Sequence, residues 1–99
     1  MKLRIRRRAK KELLDIDDDA AFFAVLKALL DLGENPRPRG YDKLEGSEGI
    51  YRVWVGRDWR VLYSIHPDRN ELTVEAVNVA MMSFRGLRLT ETRLALGTV

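Results

Sequence analysis

The stretch that most constrains this chain runs from Tyr51 to Ile65, where apolar residues alternate in two runs around a short polar break. Tyr51, Val53 and Val55 alternate with Arg52 and Trp54; Trp59, Val61, Tyr63 and Ile65 alternate with Arg60, Leu62 and Ser64. A period of two is that of a β-strand with one buried face, and the glycine-led break makes the pair a hairpin. Burial also fixes the loop. With Gly56-Arg57-Asp58 as a three-residue turn, Val55 faces Trp59, Val53 faces Val61 and Tyr51 faces Tyr63. A two-residue turn would set Val53 against Arg60 and mix the faces, so the odd loop is predicted. One face then builds a core, and the other carries Arg52, Trp54, Arg60 and Leu62, with Trp54 directly opposite Arg60.

The rest of the chain is read around that hairpin. Leu3 and Ile5 alternate with Lys2, Arg4 and Arg6, giving a short strand over residues 2 to 6. From about Arg8 the period lengthens: Ala9, Leu13 and Ile16 fall on one face of an amphipathic helix. Asp17-Asp18-Asp19 supplies an N-cap and acids for a second helix from about Ala20 to Leu32. Its inward stripe is Phe22, Val25, Leu26 and Leu29, widened by Phe23 and Leu30, with Gly33 as the C′ residue and Pro36 as the stop. The two helices form an antiparallel hairpin laid over the sheet. Asn35 to Gly40, stiffened by two prolines, is an extended connector. After the central hairpin, His66 to Asn70 is a turn, and Leu72, Val74 and Ala76, continued by Val77 and Val79, make another strand. His66, with no carboxylate or second histidine in register, is read as structural rather than as a general base. Residues 80–99 give no firm pattern, although Met81 and Met82 read as apolar packing.

Ninety-nine residues, 45% hydrophobic and 33% charged, describe one globular domain spanning 1–99 with its core in 2–79. No apolar run approaches the roughly 20 residues of a membrane span. The absence of cysteine excludes disulfides and thiolate metal sites, and the chain is read as cytoplasmic. The net charge of +3 is modest, but seven of the first eleven residues are basic: Lys2, Arg4, Arg6, Arg7, Arg8, Lys10 and Lys11. Such asymmetry points to a polyanion or an acidic protein partner, against the plain alternative of a solvated face balanced by nearby acids.

The string Lys43-Leu44-x-Gly46-x-x-Gly49-x-Tyr51-Arg52-Val53, followed by Gly56-x-Asp58-Trp59-Arg60-Val61-Leu62-Tyr63, closely resembles the RelE/ParE superfamily of toxins from type II toxin–antitoxin modules. The Glu34 to Pro38 connector is similar as well, and the likeness covers about residues 2 to 79. The resemblance implies an α+β fold: an N-terminal strand, a two-helix antiparallel hairpin, then a three-stranded antiparallel meander forming one small sheet. It also implies a cognate antitoxin as partner and one of two activities. RelE-like members cleave mRNA in the ribosomal A site with neither metal nor nucleotide cofactor, whereas ParE-like members poison DNA gyrase. Fold alone does not choose between them.

Cleavage without a metal requires attack by a 2′-hydroxyl on the adjacent phosphorus, neutralisation of the pentacovalent phosphate, and proton transfers at both oxygens. The resemblance places Arg52 and Arg60 at two of the family's basic positions, where a guanidinium can grip and stabilise the phosphate but cannot act as a base. Trp54 stands where the ribosome-dependent enzymes often carry lysine; an indole can stack on a splayed base. The family's later basic residue and tyrosine are missing from Ala80 to Arg88, where Arg85 is the expected substitute in the catalytic set. Arg57 at the hairpin tip, Arg88, Lys10 and Lys11 are expected to join Trp54 in RNA binding. The other readings are a ParE-like or inactive relative acting through protein contacts alone, and a basic face that is merely solvated.

Overall fold

The computed structural model describes residues 1–79. Its elements are β1 (Lys2–Ile5), α1 (Arg7–Leu14), α2 (Asp19–Glu34), β2 (Asp42–Lys43), β3 (Tyr51–Val55), β4 (Trp59–His66), a 3-10 turn (Pro67–Arg69) and β5 (Glu71–Val79). The strands form one mixed sheet in the order β1-β5-β4-β3-β2, with β1 parallel to β5 and every other pair antiparallel. The α+β class therefore holds, but the sheet has five strands rather than one plus a meander of three. The extra strand, β2, lies in what reads as connector and loop. It pairs only through Asp42–Arg52 and Lys43–Tyr51, too short a run for alternation to register.

The central hairpin has the register that burial demands: Tyr51 faces Tyr63, Val53 faces Val61, Trp54 faces Arg60, and Val55 faces Trp59 across Gly56-Arg57-Asp58. Gly56 enters the turn at φ 65°, in the left-handed region where glycine carries no Cβ penalty. The β4–β5 ladder shifts register at Leu62/Tyr63, so that Tyr63 faces Val74 while Leu62 faces Ala76. This bulge explains why the apolar residues of β5 switch from even to odd positions at Ala76-Val77.

Both helices cover one face of the sheet. Ala9, Leu13, Val25, Leu29 and Leu32 close over Val61, Tyr63, Leu72, Val74 and Val77 in a single core. Asp18 caps α2, its Oδ2 accepting from the Ala21 N–H at 2.9 Å. Two expectations for α2 fail. Phe23 and Leu30 do not widen the inward stripe; they stand 62% and 59% exposed, on the opposite side from Val25 and Leu32. Gly33 is not a C′ residue but a helical one, buried against Met1 and Leu3, and its carbonyl accepts from the Met1 amino group at 2.7 Å. The helix ends one residue after Gly33, at Glu34, because Asn35 precedes a proline and is driven to extended backbone, φ −139°. Beyond it, the buried Tyr63 hydroxyl donates to the Pro36 carbonyl at 2.8 Å and pins the connector to the sheet.

Candidate functional site

The sheet face turned away from the helices carries Arg52, Trp54 and Arg60, as the hairpin alternation requires. Trp54 is 44% exposed, and the Arg52 guanidinium lies 5.6 Å from the centre of its ring, within cation–π range. Register then gives each arginine a cross-strand partner. Asp42 on β2 stands opposite Arg52, whose Nε and Nη2 donate to its two carboxylate oxygens at 3.1 and 2.7 Å. Asn78 on β5 stands opposite Arg60, whose Nε donates to the Asn78 Oδ1 at 2.7 Å. The two guanidinium groups thus lean in opposite directions across the sheet, Arg52 toward β2 and Arg60 toward β5. The hydrogen bonds from Arg52 hold the Asp42 carboxyl below its ordinary pKa, and the same pairing raises that of Arg52.

Arg60 borders an open groove of about 590 Å³ at the end of the sheet, walled by Ile16, Trp59, Val77 and Val79 and reached by Glu12 and Asp15 from α1. The acids there are occupied. Glu12 accepts from the Val77 N–H at 2.8 Å and from Arg8 at 3.1 Å, while Asp15 pairs with Lys11 at 3.3 Å. Sequence reasoning misses Asp42 and Asn78. Their signal emerges once strand pairing is known, since a polar residue directly across from an outward arginine is its nearest partner.

The remaining expected residues scatter. Arg57 is exposed at the hairpin tip, and Lys10 is exposed on α1. Lys11 points away from the buried Ala9–Leu13 stripe of the same helix and is held by Asp15. Arg85 and Arg88 lie outside the described residues. The basic amino terminus is largely balanced: Arg4 pairs with Glu71, Arg6 with Glu75, Arg8 with Glu12 and Lys11 with Asp15. His66 is bonded to Ser64, its Nε2 at 3.0 Å from the Oγ. The Ser64 hydroxyl donates its one proton to Glu75 at 2.8 Å, so the histidine must be the donor in that contact. In this geometry the hydroxyl proton is directed to the Glu75 carboxylate and not to the imidazole. Among the described residues no group of three or more His, Cys, Asp or Glu side chains is placed to hold a metal ion, and no helix is long and apolar enough to cross a membrane.

The family model for the ParE toxin of the type II toxin–antitoxin system parDE matches residues 3–83, which takes in both helices and all of the sheet but its first residue, Lys2. The chain belongs to that toxin family. Among solved structures, the toxin is similar to the Escherichia coli RelBE toxin–antitoxin complex, at 24% identity over 80% of this chain and 95% of the other, TM-score 0.67. It is similar to the archaeal RelE–RelB complex from Pyrococcus horikoshii OT3, at 25% identity over 80% and 93%, TM-score 0.67. The YoeB/ParE toxin from Agrobacterium tumefaciens matches at 15% identity over 80% and 98%, TM-score 0.68. At these identities the likeness establishes a RelE-like fold. No curated protein sequence is a significant match to the toxin.

Proposed function

We propose that this toxin is neutralised by a cognate antitoxin and inhibits translation by binding and cleaving mRNA on the ribosome, as a RelE-like endoribonuclease. The observation that carries this reading is the outer sheet face, where an exposed indole and a guanidinium with a neutral partner stand on adjacent strands in direct register. An RNA base stacked on Trp54 sets its backbone beside Arg60, which can bind a non-bridging phosphate oxygen and stabilise the charge that develops as the 2′-oxygen attacks. The solved complexes of similar toxins with RelB antitoxins support an antitoxin partner here. Proton transfer requires a further group. Within the described residues the lone histidine sits six residues from Arg60 along β4, about 20 Å at strand rise, too far to serve. Arg85 remains the sequence-based choice for the rest of the catalytic set.

That same gap favours a second reading, a ParE-like toxin that binds DNA gyrase and performs no chemistry on RNA. One experiment separates the two. Messenger RNA ends are mapped on translating ribosomes after expression of the toxin with and without its antitoxin. The first reading expects codon-phased cuts that Arg60→Ala lowers by about 10²–10³-fold, the usual effect of removing one transition-state charge partner. Intact messages accompanied by gyrase-linked DNA breaks would overturn it in favour of the second.

A further inference from the structure

The two outward arginines differ in the charge of what holds them. Arg52 meets a carboxylate in bidentate fashion, through the Nε and Nη2 edge that would otherwise grip a phosphate. An incoming phosphate must displace Asp42 and also face its negative charge. Among the described residues Arg60 meets a neutral amide through Nε alone, and none of them engages its terminal nitrogens or neutralises its charge. The carboxylates bordering its groove are bonded elsewhere: Glu12 to Val77 and Arg8, Asp15 to Lys11. Because a guanidinium has no acceptor, the Asn78 amide oxygen must face Arg60, so the contact fixes both side chains.

We infer that Asn78 is a positioning residue that holds Arg60 as the anion-binding charge of this face, and that Asp42 withdraws Arg52 from ligand binding and sets it as the support of Trp54. The inference rests on the proposed function for RNA as the ligand, but not for which arginine takes the anion. It also separates the roles of two residues that the sequence treats as equivalent.

The test measures the affinity of a short oligouridylate for the full chain by fluorescence anisotropy over a series of salt concentrations. Each phosphate contact to a single strand contributes about 0.7 to the slope of log affinity against log salt. Arg60→Ala and Asn78→Asp should each lower the slope by about 0.7, the second because a carboxylate cancels the charge while keeping the geometry. Asn78→Ala should weaken binding by about 10- to 100-fold, the value of a charged hydrogen bond, with the slope retained. Arg52→Gln should leave the slope unchanged, and Asp42→Asn should raise it by about 0.7. A merely structural Asn78 would make Asn78→Ala and Asn78→Asp alike. That result, or a slope loss at Arg52→Gln equal to that at Arg60→Ala, overturns the inference.

If the wild-type chain binds no oligouridylate, the RNA reading fails and inorganic phosphate decides the rest. Titrated into arginine-labelled protein, it should move the Arg60 Nε–H resonance and leave that of Arg52 in place. Equal movement of both, or of neither, overturns the inference.

Discussion

The two faces of the sheet are built from the same strands and obey opposite rules. On the inner face, Val61, Tyr63, Leu72, Val74 and Val77 are closed off by both helices, and the one phenol among them bonds the Pro36 carbonyl. On the outer face, Arg52, Arg60, Asp42 and Asn78 meet in polar cross-strand pairs that remain partly in water. Burial of apolar side chains is worth kilocalories each, whereas an exposed ion pair is worth a fraction of one. Stability is therefore concentrated on one side and ligand chemistry is free to vary on the other. This is how one fold can change its outward chemistry without changing its core.

That contrast can be broken most sharply at Leu29, which is fully buried in the core between helix and sheet. Leu29→Ala is expected to cost about 2–5 kcal/mol in denaturant unfolding, a large share of a small domain's stability. A loss below about 1 kcal/mol would show that the inner face is not where the fold is held.

The next largest effect concerns Tyr63, whose burial pushes its hydroxyl pKa up from 10.0 to about 12. Its folded pKa lies above its unfolded one, so its contribution is complete below pH 10 and falls away as pH rises toward 12. The loss is at most about 2.7 kcal/mol, from two pH units of differential ionisation. Tyr63→Phe should abolish that alkaline slope and cost about 1 kcal/mol at neutral pH, through the lost bond to Pro36. Unfolding curves at pH 10 and pH 12 that coincide for the wild type would refute the assignment.

The smallest effect is expected on the outer face. Asp42→Asn should lower stability by less than about 1 kcal/mol, and by less still in high salt, since the carboxylate is half exposed. The depressed pKa of Asp42 gives the sign with pH: the pair contributes fully above the unfolded value of 3.8 and is lost as pH falls through the lower folded value. A loss comparable to that of Leu29→Ala would erase the distinction between the faces.

How far the sequence discloses this arrangement follows the same division. The hairpin's alternation is strict, so its register, turn length and outward residues are legible in the order of the residues alone. Local chemistry is legible too, as in the Asp18 cap. What stays hidden depends on distant chain. Gly33 looks like a helix stop until Met1 and Leu3, some thirty residues earlier, are packed against it. Phe23 and Leu30 look inward because periodicity counts apolar residues without knowing the width of the sheet they must cover. Asp42 and Asn78 become partners of the arginines only through strand pairings outside the hairpin, one of them set by a bulge that inverts the alternation of β5.

The three-residue turn between β3 and β4 acts as a phase lock. Deleting or inserting a single residue among Gly56, Arg57 and Asp58, with the strands still paired, would rotate every downstream side chain by half a pleat. Val61 and Tyr63 would be thrust into solvent, and Arg60 and Ser64 driven beneath the helices. In length this segment is as constrained as a reading frame, whatever its composition, and homologues carrying the same outward pair should share it to the residue.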